Sequence, residues 1–465
     1  MTTPLPGLRL AYYGDDFTGA TDALEVLATA GWRCALFLQT PDAQTLARHP
    51  GLDAIGIAGD SRAMSPAQMD AALPPVLAWM VHSGAPVLHY KVCSTFDSAP
   101  QVGSIGRVIE LARERLRNTG VAIVAATPRL ARYCLFGNLF ARAGTDGQVH
   151  RIDRHPIMRV HPVTPMDEAD LALHIATQRP LQIAKATLEA VDAGPQALVT
   201  RLQAAFAEGA QAVLVDGLTD AHMHTAGLAL RTLGDGAGPV FVVGGSGVEH
   251  ALTAAWRDEP GASRTAPDFR RSAVPQVLAL SGSASALSAR QIEHALQTGF
   301  HGIALDPLAL VMGSDTKQRA AVDAAVADAV QAWQAGRSVI LHSACGPDDA
   351  RIGALRSRLA AQGLNTDAVR QVTGPQLGEQ LGRIVLGVIR AAKVQRVLIS
   401  GGDTSSAIGR VLDVQAVVMA ARLSPGAPLC RVLESREVPG LEIAFKGGQM
   451  GGADFFDQAR RASDA

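Results

Sequence analysis

Residues 397–412 read VLISGGDTSSAIGRVL. Val397, Leu398 and Ile399 make a short apolar run of the kind buried on both faces of a parallel sheet. Gly401 and Gly402 interrupt it, Asp403, Thr404, Ser405 and Ser406 follow, and Ala407, Ile408, Val411 and Leu412 resume at helical spacing. A strand passing through a glycine turn into a helix is half of a βαβ unit, and the same order recurs in VLALSGSASALSARQ (277–291). Working outward, the alternation predicts first-half strands at Leu8–Tyr13, Cys34–Leu38, Ala54–Ala58, Val87–Tyr90, Ala122–Ala125, Ala212–Val215 and Val240–Val243. Helices are predicted at Gly19–Thr29, Pro66–Val81 and Gly103–Arg117. The second half repeats the pattern, with strands at Gln276–Leu280, Gly302–Leu305, Ser338–Leu341, Arg396–Ile399 and Ile443–Phe445 and helices at Thr316–Ala335 and Gly378–Ala392. The fold class is therefore α/β.

Between the halves the alternation stops in RDEPGASRTAPDFRRSAVP (257–275), whose three prolines and clustered charges read as a linker. The expected organisation is an N-terminal lobe at 1–256, a linker at 257–274 and a C-terminal lobe at 275–465. Each lobe should hold a largely parallel sheet flanked by helices, with no internal repeat. The 465 residues are 48% hydrophobic and 18% charged, which suits folded domains and excludes intrinsic disorder. With 42 Lys+Arg against 43 Asp+Glu the net charge is −1, so no nucleic acid or anionic membrane is expected as a partner. The five cysteines, Cys34, Cys93, Cys134, Cys345 and Cys430, form no CxxC pair and suggest a reducing, cytoplasmic setting. Neither a signal peptide nor an apolar run of membrane-spanning length is expected from the pattern.

Open α/β sheets bind ligands at the carboxyl ends of their strands. In the second lobe three such ends are rich in Gly, Ser and Thr: Ser281–Ser285, Gly401–Ser406 and KGGQMGGADFF (446–456). Glycine lets the backbone approach an anion, and helix N-terminal N–H groups with hydroxyls donate to phosphate oxygens. One such turn taken alone is more simply a helix cap, but three in one lobe favour a phosphate cradle. No GxxxxGK[ST] or GxGxxG fingerprint is present, so the expected nucleotide site is neither a P-loop nor an ordinary dinucleotide site.

The first strand of the first lobe ends in Gly14, Asp15, Asp16, Phe17, Thr18, Gly19 and Ala20. The paired carboxylates could cap the helix, hold ligand hydroxyls, coordinate Mg2+ or accept a proton. Other strand ends carry Asp60, Ser61 and Arg62, and Lys91 with Ser94, Thr95 and Asp97. Cations for a carboxylate beside carboxylates for hydroxyls suit a small hydroxylated acid. Three features weigh less. Val240–Leu252 (VFVVGGSGVEHAL) is as readily tight helix packing as a phosphate turn, His222 and His224 fall on different helix faces, and His342, Ser343 and Cys345 lack a GxSxG elbow.

Taken in order, GDDFTGA (14–20), KVCSTFDS (91–98), HPVTPMDEADL (161–171), SGSAS, GGDTS and KGGQMGGADFF resemble the four-carbon acid sugar kinase family over nearly the whole chain. Such kinases act on substrates such as 3-oxo-tetronate, D-threonate and D-erythronate. The resemblance implies an N-terminal substrate domain, a C-terminal nucleotide domain, and ATP-dependent phosphorylation of a terminal hydroxyl on an acid sugar. The family's SGSCS turn falls on Ser281–Ser285 with Ala284 for Cys, and its GGETS turn on Gly401–Ser405 with Asp403 for Glu. Its KSGNFGG stretch falls on Lys446–Gly452 with Gly447, Gln449 and Met450 different. These departures, and the poor fit of Arg129–Arg159, extend the substrate range to a related acid such as 3-oxo-isoapionate.

On this resemblance Ser283, Ser285, Gly401, Gly402, Asp403, Thr404 and Gly448 hold ATP, and Mg2+ bridges its β and γ phosphates with no side chain assigned to it. Asp16, or failing that Asp15, orients the hydroxyl and accepts its proton. Asp15, Arg62, Lys91, Ser94 and Thr95 bind the substrate, Lys91 and Arg62 gripping its carboxylate, with closure about the linker excluding water. A homodimer is left open. The rivals are a nucleotide-independent lyase or aldolase using Lys91, and a non-catalytic acid-binding protein; a thermal shift with ATP and Mg2+ separates a kinase from both.

Overall fold

The computed structural model describes residues 4–116, 120–144, 147–161, 163–236, 238–257, 267–361 and 366–463, leaving out the side chains of residues 366–373 and of Asp403. The chain divides into two compact units, Met1–Pro267 and Asp268–Ala465. The first holds β1 (Leu10–Gly14), β2 (Cys34–Phe37), β3 (Ala54–Ala58), β4 (Val87–Lys91) and β5 (Val121–Val124). After these come β6 (Arg132–Leu135), β7 (Asn138–Arg142), β8 (Val149–Arg151), β9 (Ile183–Ala186), β10 (Ala212–Val215) and β11 (Val240–Gly244).

Eight of these strands form one sheet in the order β2-β3-β1-β4-β11-β5-β10-β9, and every pairing in it is parallel. Strands such as β1 and β10 are buried at every position, as a sheet covered by helices on both faces requires. Several covering helices start on side-chain caps: Asp16 for Phe17–Thr29, a Ser65–Gln68 capping box for Pro66–His82, and Ser104 for Ile105–Arg115. The seven strands expected here are all present.

β9 was not expected, and neither was the small antiparallel sheet β6-β7-β8. Its first hairpin turns on two residues, Phe136 and Gly137, at φ of 50° and 81°. Two consecutive left-handed residues make the tight turn that matches strand twist. This hairpin occupies the stretch that departs from the family pattern.

The second unit holds β12 (Leu278–Ser281), β13 (His301–Ala304), β14 (Val339–His342), β15 (Arg396–Ser400), β16 (Ala416–Ser424), β17 (Ala427–Glu434) and β18 (Glu442–Lys446). Strands β13-β14-β12-β15-β18 run parallel, while β17 and β16 extend the sheet antiparallel. The β16–β17 hairpin is an element not expected above, although Pro425-Gly426 between two apolar runs is a turn signal. Its core packs Val277, Ile292, Phe300, Ile340, Leu398, Leu429, Phe455 and Phe456. Of the stretch 257–274 expected to link the lobes, residues 258–266 lie outside the described residues. Beyond them Phe269, Arg271, Ser272 and Val274 bond along the second unit, to Arg422, Ser463, Arg396 and Arg460.

Candidate functional site

In the first unit β1 and β4 are neighbours whose outgoing connections leave in opposite directions, to β2 on one side and β5 on the other. Such a switch in direction opens a crevice at the carboxyl ends of the two strands. Register levels those ends: Gly14 pairs with both Ala58 of β3 and Lys91 of β4, and Lys91 with Gly244 of β11. The residues following them, Asp15 and Asp16, Arg62, and Lys91 itself, are therefore brought together.

The Arg62 guanidinium lies between the two carboxylates. It donates to Asp15 through Nε and Nη2, at 3.1 and 2.7 Å, and to Asp16 through Nη1 and Nη2, at 2.9 and 3.1 Å. Four of its five N–H directions are thus occupied. Asp16 Oδ1 also accepts the Gly19 N–H at 2.7 Å, so this side chain is both a helix cap and an ion-pair partner. Burial pushes the Asp15 carboxyl above its ordinary range, opposed by Arg62 and reinforced by Asp16. Lys91 is buried 3.7 Å from Asp22; burial pulls its pKa down, but Asp22, Asp16 and Asp15 together raise it.

Beyond Lys91 the chain turns tightly. Thr95 donates to Asp97 at 2.5 Å and contacts Cys93 Sγ at 2.9 Å, while Asp97 accepts from Thr164 at 3.5 Å. Phe96 is fully buried at φ 54°, a strained conformation held by its surroundings. Burial and Asp97 push the Cys93 thiol up to about 11, so it is no nucleophile at neutral pH. Thr95 is bonded within its own loop, whereas Ser94 lies against Gly245 of the turn after β11.

In the second unit the equivalent switch falls between β12 and β15, and the two expected glycine turns follow these strands. The third, after β18, joins them. Ser285 caps the helix Ala286–Gln297 through Ser288 N–H at 3.0 Å and donates to the Gly448 carbonyl at 2.5 Å. A Cβ on Gly448 would lie 2.1 Å from Ser283 Oγ, so a larger residue there would have to displace the Ser283 side chain. Thr404 packs against Gly282 and Gly401, and Gly401 takes φ 124°.

Among the described residues the helix Gly402–Val411 has no side-chain cap at Gly401, and a Cβ on Gly402 would meet no atom within 4 Å. The unbonded N–H groups of a helix N-terminus are suited to phosphate oxygens. The Asp403 side chain lies outside the described residues. Lys446, at the end of β18, was not singled out by sequence reasoning. It is fully buried, donates to the Gly447 carbonyl at 3.1 Å and lies 5.4 Å from the centre of the Phe455 ring. No carboxylate pairs with it among the described residues, and burial alone drops its pKa to about 7.

Two family models cover these units: a sugar-binding N-terminal domain matches residues 10–252 and a nucleotide-binding C-terminal domain residues 278–456. The chain belongs to the four-carbon acid sugar kinase family. It is 42% identical to 3-oxo-isoapionate kinase of Paraburkholderia graminis, across 98% of this chain and 94% of that relative. It is 30% identical to 3-oxo-tetronate kinase of Pseudomonas fluorescens, across 99% and 98%. A solved chain from Salmonella typhimurium LT2 shares the fold with a TM-score of 0.76 at 23% identity, covering 97% of this chain and 99% of its own. One from Haemophilus influenzae gives 0.70 at 21%, covering 97% and 98%. Among the described residues no helix of this family member is long and apolar enough to cross a membrane.

Proposed function

We propose that this chain is an ATP-dependent acid sugar kinase that phosphorylates a terminal hydroxyl of 3-oxo-isoapionate or a closely similar oxo acid sugar. What carries this is the whole-length similarity to a 3-oxo-isoapionate kinase, greater than that to the 3-oxo-tetronate kinase of Pseudomonas fluorescens. The second unit supports it with a glycine cradle, an uncapped helix N-terminus at Gly402 and an uncompensated lysine, all suited to a polyphosphate.

The nucleotide phosphates lie against the N–H groups of Gly402, Asp403 and Thr404 and against the Gly448 turn, with Ser283 and Ser285 shaping that turn. Gly401, at its left-handed φ, turns the chain into the helix. Lys446 beneath the cradle raises the local positive potential. Mg2+ supplies charge neutralisation on the phosphates when bound. Transfer through a loose transition state asks for positioning and charge more than for a strong base. Asp16 therefore acts chiefly by orienting the acceptor hydroxyl and taking its proton late, while Asp15 and Lys91 hold other substrate oxygens. An ATP-consuming reaction suits a cytoplasmic setting.

ADP release measured with 3-oxo-isoapionate, 3-oxo-tetronate, D-threonate and D-erythronate tests the proposal. The first should give the highest kcat/KM, and absence of ADP release with every acid would refute it. Thermal stabilisation by ATP with Mg2+ in the absence of sugar should accompany binding to the second unit.

A further inference from the structure

The first unit binds an acid in the reading above, yet its two expected carboxylate grips already have acidic partners. Arg62 is shared by Asp15 and Asp16, and Lys91 stands beside Asp22. A third cation differs. Arg132 opens β6, and its backbone exchanges hydrogen bonds with Thr127, at 2.9 and 3.2 Å. Thr127 Oγ1 in turn accepts the Gly247 N–H at 3.1 Å. A Cβ on Gly245 would lie 3.2 Å from Thr127 Oγ1 and 3.3 Å from Ser94 Cα. Arg132, the turn after β11 and Ser94 thus meet at one sheet edge, and Cys93 lies near enough to Arg62 and Arg132 for its charge, if ionised, to act on both.

The Arg132 guanidinium is fixed from one side only. Its three hydrogen bonds all leave Nη1, to the carbonyls of Leu130, Ala131 and Arg142 at 2.8, 3.4 and 3.3 Å. Its Nε is buried and makes none, and no carboxylate acts on it among the described residues. The remaining edge, Nε–H with Nη2–H, is the fork that takes a carboxylate in two parallel bonds. The turn after β11, joined to the Arg132 backbone through Thr127, carries a second unsatisfied group. Ser246 is 1% exposed, its Oγ has no partner among the described residues, and it precedes the 11-residue helix Gly247–Arg257, whose N-terminus favours negative charge. Two buried donors without acceptors are costly unless a ligand satisfies them.

We propose that Arg132, with Ser246 and the Gly244–Gly247 turn, forms the subsite that holds the carboxylate of the acid sugar. This rests on the first unit being the acid-sugar unit. Arg62 then serves a different end, holding Asp15 and Asp16 in place at the hydroxyl side.

The test compares the acid substrate with its carboxamide, which keeps shape and hydroxyls but not charge, in steady-state ADP release. Arg132→Gln should raise the acid KM about 100-fold, the loss of two charge-assisted hydrogen bonds. KM for ATP and for the carboxamide should stay within about twofold. Arg132→Lys should recover part of the acid KM, and Ser246→Ala should raise it several-fold. If Arg132→Gln does not fold, Arg132→Lys carries the same comparison, with an expected tenfold rise for the acid alone. An unchanged acid KM, or equal losses for acid and carboxamide, would overturn the subsite. Wild-type protein inert towards every acid sugar would instead defeat the kinase assignment itself.

Discussion

Replacing Asp16 by Asn separates the structural from the catalytic work of that side chain. Asn caps helices about as well as Asp, so the bond from Gly19 N–H, 2.7 Å in the wild type, should survive. The ion pair should not. An amide nitrogen in place of Oδ2 would face Arg62 Nη1 at about its present 2.9 Å, donor against donor. Arg62 would still keep its two bonds to Asp15, at 3.1 and 2.7 Å, so its charge is not left unpaired. The stability cost is accordingly about 1 to 2 kcal/mol, a melting shift of a few degrees for a unit of this size. The catalytic cost is larger, because hydroxyl orientation and proton acceptance both go: kcat should fall about 10² to 10⁴-fold, or roughly 3 to 5 kcal/mol, with ATP KM little changed. Thermal melts beside initial rates of ADP release, with each substrate varied in turn, measure both. Near-normal kcat in Asp16→Asn and also in Asp15→Asn would reduce the pair to a helix cap and an arginine clamp, leaving Asp97 as the next proton acceptor to test.

Asp15→Asn should act mainly on acid-sugar KM, since Asp15 is the more buried of the pair and is held by two Arg62 bonds; exchanged effects on kcat and KM would swap the two roles. Gly402→Ala adds a methyl into open space, so its melting temperature should match wild type while ATP KM rises about tenfold; Gly448→Ala, which must displace Ser283, should raise ATP KM and also lower stability. Lys446 has a folded pKa near 7 against about 10.4 unfolded, so the unfolded chain binds the extra proton between these values and the lysine's penalty fades as pH rises through that window. Denaturant midpoints should therefore show Lys446→Met more stable than wild type at pH 7, by at most roughly 5 kcal/mol, with the advantage shrinking towards pH 10, while its ATP affinity falls. Residues 1–267 and 268–465 expressed separately should each melt cooperatively, the first binding acid sugar and the second nucleotide; molten halves would argue against independent folding.

Much of the α/β architecture was legible because parallel strands buried on both faces leave unbroken apolar runs, and β1, β5, β10 and β15 are such runs. Turn composition was legible for the same kind of local reason: Gly, Ser and Thr between a strand and a helix have few other uses. The β6-β7-β8 sheet escaped because its strands are short, mixed in polarity and joined through Phe136, a residue that turn preferences do not favour at positive φ. β16 and β17 escaped because AVVMAARLS and APLCRVLE carry no strict period-two alternation of apolar and polar residues.

The sequence by itself determined which residue types stand at the strand ends: Asp15 and Asp16 after β1, Arg62 beyond β3, Lys91 closing β4, and the glycine turns of the second unit. Only the tertiary structure decided how their charges are distributed. That Arg62 is taken up by two carboxylates while the Arg132 Nε has no partner among the described residues depends on strand order and on a hairpin folded back to Thr127. The bare charge of Lys446 is equally invisible in sequence, since a lysine is ordinary until burial without a counter-ion removes its solvation. Residue identity sets which interactions are available, and long-range packing sets which of them are already satisfied; a binding site is built from those that are not.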